Sequence, residues 1–356
     1  MHTVGKSARL VGQGEYPAIA FPLDSGLHLP ASSRSAFIPM SHAHAPSGRA
    51  SSYARSPLAC QAREAPVGYT RPRPENTEVA VTQFAIVQMH TRPLNPDANL
   101  QKVVARLEQA AAQGAKLAVF PECALTGYFL SAEEAASVGE TVPGPRTERL
   151  AEACRLHNVH AVVGTIENDA AGRCFNTAIL VGPDGLLGRY RKTHLLCLGV
   201  DRFLTPGDSP PAVYETPLGR LGVLICYDLR FPEPARVLAL SGAQAILLPT
   251  AWPAAATLYP DFIARTRAAE NGVTILAADH VGEEQGRRYL GRSLAVGPDG
   301  EVLAEAGREE ETILTVEVDL ARSLHKHRIF IPGEYEIDLL DDRRPEHYGR
   351  ITAPRE

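Results

Sequence analysis

The chain has 356 residues, 44% hydrophobic and 22% charged, with a formal net charge of -5 at pH 7. That composition supports a sizeable core, and its mild acidity gives no electrostatic case for a nucleic-acid or membrane partner. No apolar run approaches the ~18 residues of a membrane-spanning helix, and six scattered cysteines without metal spacing read as free thiols of a reducing, cytoplasmic setting.

Residues 1–76 are rich in Ser, Pro, Ala, Arg and His and show no periodicity. Their first sixty positions carry only Glu15 and Asp24 as acids, against Lys6, Arg9, Arg34, Arg49 and Arg55. Such a stretch buries too little apolar surface to order itself, which predicts a disordered extension. An Arg- and Ser-rich, acid-poor leader also has the composition of an organelle transit peptide, and Met40 is an alternative start. The ordered domain, 77–356 with its C-terminal tail, opens on Val79–Met89, whose β-branched and apolar residues predict a first strand. Asn95-Pro96 offers an N-cap and a first helical proline. The helix they begin carries Leu100, Val103, Val104, Leu107 and Ala111 at helical spacing and stops near Gly114. Lys116–Phe120 is the next strand, and this order predicts a parallel sheet with right-handed crossovers.

The alternation continues. Thr147–His157 reads as a helix and His160–Ile166 as a strand. Phe175–Val181 and Leu186–Tyr190 flank Gly182-Pro-Asp-Gly185, a hairpin turn. The string Val-Gly-Pro-Asp-Gly returns at Val296–Gly300, which points to two similar halves. Between the hairpins lie an apolar run ending at Cys226, a helix over Ala235–Ser241, a strand ending at Pro249, a helix at Asp261–Asn271 and a strand at Val273–Ala278. Ile313–Val318 is a last half-buried strand. The tail from His325 to Tyr348 has little periodicity and reads as a wrap over the domain or a partner subunit.

Three polar residues stand at strand exits: Glu122 after Pro121, Lys192 after the second hairpin arm, and Cys226 after Ile225. A thiol is a poor nucleophile until it loses its proton, because its ordinary pKa is near ~8.5. A neighbouring carboxylate can accept that proton, and an ammonium can face the oxyanion formed on attack. A Cys–Glu–Lys set therefore supplies nucleophile, base and oxyanion stabiliser without a metal or cofactor. Taken singly, each has a plainer reading: a buried inert thiol, a capping Glu, a Lys on an exposed basic arm.

Phe120-Pro-Glu-Cys-Ala-Leu-Thr-Gly-Tyr128, Tyr190-Arg-Lys-Thr-His-Leu195 and Ile225-Cys-Tyr-Asp-Leu-Arg-Phe-Pro-Glu233 resemble, in order, the three signature segments of the nitrilase superfamily of carbon–nitrogen hydrolases. The likeness runs from about Val79 to Tyr348. It implies an α/β fold, a four-layer α-β-β-α sandwich, assembled as a homodimer or higher homo-oligomer. It assigns Glu122 as general base, Lys192 as transition-state stabiliser and Cys226 as nucleophile. Members often carry a second active-site Glu before a Thr-Pro-Gly-Asp-like string. Here that string is Thr205-Pro-Gly-Asp208, and Asp201 stands nearest the expected place, as a supporting carboxylate or a loop residue bonded to local backbone. Tyr227-Asp228 after the nucleophile resembles the amidase-type branch with ω-amidase-like proteins, and the Tyr227 N–H would share the oxyanion. Tyr128 and Trp252 are candidate substrate-pocket walls, with core packing as the alternative. The resemblance thus implies hydrolysis of a non-peptide C–N bond in a small-molecule amide through a thioester on Cys226. Nitrilase or N-carbamoyl amide hydrolase activity, or a silent scaffold of the same fold, are the alternatives.

Overall fold

Strands buried on both faces set the architecture, because such strands must be covered on each side. The computed structural model describes residues 81–354. The expected disordered extension, its transit-peptide reading and the Met40 start lie outside the described residues. The first half runs β1 (Thr82–Gln88), α1 (Pro96–Ala112), β2 (Leu117–Val119), α2 (Ala132–Val138), α3 (Pro145–His157), β3 (His160–Asn168), β4 (Cys174–Gly182) and β5 (Gly185–Arg191). The second runs β6 (Val213–Thr216), β7 (Gly219–Val223), α4 (Pro232–Leu240), β8 (Ala245–Pro249), α5 (Ala264–Asn271) and β9 (Thr274–Ala278). After these come a short hairpin, β10 (Glu283–Glu284) and β11 (Arg287–Arg288), and then β12 (Leu294–Val296) and β13 (Val302–Glu305). β14 (Thr312–Val318) returns to the first sheet, and β15 (His327–Ile331) and β16 (Tyr335–Asp338) form a terminal hairpin.

Each of the two large sheets has six strands, ordered β14-β1-β2-β3-β4-β5 and β13-β12-β9-β8-β7-β6. Period-two alternation sorts the first sheet's side chains. Phe84, Ile86, Leu117, Val119, Val162 and Leu180 join the core shared with the second sheet. Their neighbours Ala85, Val87, Ala118, Ala161, Val163, Ile179 and Val181 pack against Val103 and Leu107 of α1 and Leu150 of α3. Ala235 and Leu238 of α4 and Ala264 and Ala268 of α5 cover the second sheet. The layers are therefore α-β-β-α, as expected. Burying each large aliphatic side chain contributes roughly 1.5–3 kcal/mol.

Read from β14 and from β6, both sheets show the same succession of pairings: antiparallel, parallel, parallel, antiparallel, antiparallel. The two Gly-Pro-Asp-Gly turns occupy equivalent places, and Gly185 (φ 113°) and Gly300 (φ 82°) adopt the left-handed backbone their tight turns require. The repeated string thus marks a repeated half.

Local chemistry explains most element ends. Asn95 caps α1, accepting the Ala98 N–H at 3.3 Å, with Pro96 at the first helical position. Several readings change. The strand before the cysteine ends at Val223, so Cys226 opens a 3-10 turn, Cys226–Arg230, rather than closing the strand. α4 starts at Pro232, since proline is tolerated in a first turn. α2 is additional, held by a reciprocal Ser131–Glu134 capping box. The tail contains a true hairpin, and it lies on its own domain: Lys326 Nζ donates to the carbonyls of Asn271 (2.9 Å) and Gly272 (2.6 Å). Asn95→Ala is expected to lower stability by about 1 kcal/mol, measured as a shifted urea midpoint with an unchanged slope.

Candidate active site

The parallel strands of both sheets end on one side, and their exits carry the chemistry. Past β2, Glu122 is tied down by its own N–H, which donates to Thr250 O beyond β8 at 3.2 Å. Cys123, with φ 51°, then turns the chain away. Lys192 follows β5, and its N–H donates to Asn176 O of β4 at 2.8 Å. Both side chains are fully buried. Lys192 Nζ donates to Glu122 Oε1 and to Asp201 Oδ2, each at 2.6 Å. Asn176 Nδ2 bridges the same two carboxylates, at 2.7 Å to Glu122 Oε1 and 2.9 Å to Asp201 Oδ1. The Tyr128 hydroxyl donates to Asp201 Oδ2 at 3.3 Å. Glu122 Oε2 is buried with no hydrogen-bond partner.

One ammonium thus faces two carboxylates out of water. Burial works against the Lys192 charge, but Glu122 and Asp201 outweigh it and hold its pKa well above the ordinary lysine value. Burial pushes the Glu122 carboxyl up, opposed by Lys192 and reinforced by Asp201. The Cys226 thiol is pushed well up by burial and by Glu122, while Lys192 and the backbone N–H of Ala251 pull it down. At rest the site therefore holds a thiol beside an anchored base.

Cys226 is nearly buried and adopts φ 45°, a strained backbone for a side-chain-bearing residue, costing about 1–3 kcal/mol. Asp228 holds that elbow. Its Oδ2 accepts the Ile225 N–H (3.1 Å) and the Tyr190 hydroxyl (3.0 Å). Its Oδ1 accepts the His194 N–H (3.1 Å) and contacts His194 Nδ1 (2.7 Å). One carboxyl thereby joins the residues flanking Lys192 to those flanking Cys226. His280, at the exit of β9, is fully buried, and its Nε2–H donates to the Glu122 carbonyl at 2.6 Å. Burial pushes its pKa down to about 4, so the ring is neutral.

Of the residues singled out in the sequence, Glu122, Lys192, Asp201 and Tyr128 meet in one hydrogen-bonded cluster, and Cys226 is electrostatically coupled to it. Tyr227 is half-buried with its ring edge-on to Phe231 (5.2 Å). Trp252 is buried and stacks on Tyr259 (5.2 Å, 21°), and Tyr259 in turn lies within the electrostatic reach of Cys226. Asn176, His280 and the Ala251 amide escape the sequence reading. Asn176 left one trace, a lone amide inside the apolar run Phe175–Val181. A backbone N–H leaves none.

Residues 83–324 match the carbon-nitrogen hydrolase family. A protein of Pyrococcus abyssi named as a nitrilase is 38% identical over 275 residues, 76% of this chain and 100% of that protein. The omega-amidase NIT2 of Homo sapiens is 33% identical over 251 residues, 67% of this chain and 89% of that protein. Among solved structures, an amidase from Nesterenkonia sp. superposes with a TM-score of 0.64 at 29% identity, over 77% of this chain and 98% of its own. A mutant of the Nesterenkonia sp. AN1 amidase (30% identity, TM-score 0.63, 76% and 96% coverage) carries the acetamide moiety of fluoroacetamide covalently on its active-site cysteine.

A methyl added at Gly164 would sit 2.4 Å from Cys123 N, 2.5 Å from Pro121 O and 2.7 Å from Glu122 Cα. Backbone on every side cannot yield, so Gly164→Ala is expected to cost about 1–3 kcal/mol of stability and to lower amide turnover by displacing Glu122. Urea unfolding and steady-state kinetics read the two effects separately. His280 sets a pH dependence. The unfolded chain takes up its proton near the ordinary value of 6.5 and the folded chain only at about 4. The unfolded state therefore binds more protons in that window, and stability falls as pH drops through it, by up to about 3 kcal/mol from this group. Unfolding free energies across that range should fall more shallowly in His280→Asn.

Proposed function

The chain belongs to the carbon-nitrogen hydrolase family, within the amidase-type branch of the nitrilase superfamily, and from that premise we propose that it hydrolyses a linear small-molecule amide through a thioester on Cys226. One observation carries the reading: Glu122 is anchored through Oε1 by Lys192 and Asn176 while its buried Oε2 is left without a partner. A base fixed on one oxygen and free on the other is placed to move a proton repeatedly.

In this reading Glu122 takes the Cys226 proton and the thiolate attacks the amide carbon. Lys192 has three donors, two of which are spent on Glu122 and Asp201, so the third faces the oxyanion. The Tyr227 N–H joins it, since the first N–H groups of a helical turn lack partners within the turn. Protonated Glu122 then gives its proton to the leaving nitrogen, and ammonia or an amine departs. Water loses a proton to Glu122 and attacks the thioester, and collapse releases the acid while the proton returns to sulfur. Asp201 acts through Lys192, keeping it charged and oriented. Trp252 and Tyr128 serve as pocket walls. The covalent acetamide adduct of the Nesterenkonia sp. AN1 mutant supports cysteine chemistry of this kind.

The reading also takes the enzyme to be cytoplasmic and homo-oligomeric. Five free thiols among the described residues (Cys123, Cys154, Cys174, Cys197 and Cys226) support the first. Exposed Val237 and Leu240 on α4, beside Ile351, support the second. A nitrilase is the second reading, favoured by the name of the Pyrococcus abyssi relative.

Cys226→Ala is expected to abolish turnover and Lys192→Met to lower it by at least about 10²–10³-fold, both with native circular dichroism. Amide hydrolysis persisting in folded Cys226→Ala would sink the mechanism. Amides, nitriles and carbamoyl compounds assayed side by side, with intact-mass detection of the acyl adduct, separate the readings. A nitrile turned over as fast as its amide identifies a nitrilase, and carbon dioxide released with ammonia a carbamoyl hydrolase. Because Glu122 must be ionised to act and burial raises its pKa, the acid limb of kcat/KM is expected above pH 4.5.

A further inference from the structure

β9 ends at Ala278, and the next residue, Asp279, has no exposed surface. Its Oδ1 accepts the Trp252 N–H at 2.7 Å and the Thr250 hydroxyl at 3.0 Å, and its own N–H donates to Ser293 Oγ at 2.8 Å. Its Oδ2 is buried without a partner. Two donors therefore converge on one oxygen, and they come from the two ends of a three-residue loop at the exit of β8.

That loop touches both reacting groups. The Thr250 carbonyl accepts the Glu122 N–H at 3.2 Å, and the Thr250 N–H donates to Ala278 O at 2.8 Å. Between the two gripped residues lies Ala251, whose backbone N–H favours the thiolate of Cys226. A backbone N–H pointing at a thiolate strengthens as charge builds on sulfur, so its aim matters most when the proton leaves. We infer that Asp279 is a positioning residue for the reaction: by gripping Thr250 and Trp252 it aims the Ala251 N–H at Cys226 and holds the Glu122 backbone in register with it. This rests on Cys226 being the nucleophile.

Burial pushes the Asp279 carboxyl well above the usual carboxylate range, with the Trp252 N–H and the Thr250 hydroxyl pulling it back and Glu122 adding to the rise.

The test is alkylation of the full-length protein by iodoacetamide across pH, read at Cys226 by peptide mass spectrometry with exposed Cys197 as internal reference. In Asp279→Leu, similar in size but without an acceptor, the apparent thiol titration of Cys226 is expected to rise by about one unit. Its rate at neutral pH then falls about tenfold, with Cys197 unchanged. Asp279→Asn keeps the acceptor and restores the profile. Thr250→Val, which removes one of the two bonds, lies between. A wild-type Cys226 profile in Asp279→Leu overturns the inference, as does a shift in Asp279→Asn equal to that in Asp279→Leu. If Asp279→Leu does not fold by circular dichroism, Thr250→Val decides: a shift supports the inference and its absence overturns it. Failure of the underlying mechanism looks different: folded Cys226→Ala then still hydrolyses amide, whatever the alkylation profiles show.

Discussion

The arrangement of the site depends on one ammonium held out of water. Lys192 can stay charged there because two carboxylates stand at 2.6 Å, and the lysine between them in turn offsets their mutual repulsion. Each partner is delivered by a different element: Glu122 from the exit of β2, Lys192 from the exit of β5, and Asp201 from a short 3-10 turn, Gly199–Phe203. Asn176 of β4 bonds to both acids and so fixes their spacing independently of the lysine. Removing one member of such a buried set leaves an uncompensated charge at about 3–5 kcal/mol. The cluster therefore ties the sheet together as firmly as it organises the chemistry.

Around that charge, the backbone is bent where side chains must turn. Cys123 and Cys226 both carry positive φ without being glycine, and both lie beside functional positions. Strain of this kind persists only where surrounding bonds over-determine it. The Asp228 carboxyl supplies those bonds at Cys226, and His280 supplies one at the Glu122 carbonyl.

Much of the fold was legible because doubly buried strands are written as plain apolar runs and because α1 carries its own cap in Asn95-Pro96. α2 was legible in principle, through Ser131 and Glu134 at capping-box spacing, but its seven residues are too short for a periodic signal. The β15–β16 hairpin escaped because it is exposed on most positions and so shows no alternation. In the site, Glu122, Lys192 and Cys226 stood out as three separate segments, and Asp201 was placed by counting back from Thr205-Pro-Gly-Asp208. Asn176 and His280 act by hydrogen bonds across strands that only the folded sheet brings together. The strand before Cys226 was read two residues too long, since Leu224 and Ile225 stay apolar after the ladder has ended.

The matched order of the two sheets bears on how such a site can arise. Equivalent strands end at unlike residues: β2 leads to Glu122 where β8 leads to Thr250, and β7 leads to Cys226 where β1 leads to Met89 and His90. A symmetric pair of identical half-chains would be bound to repeat every side chain on both sides of its axis. Acyl transfer needs the opposite, a nucleophile on one side and a proton carrier on the other. Joining the halves in one polypeptide frees each copy to diverge, so covalent linkage is what permits the broken symmetry on which the reaction depends.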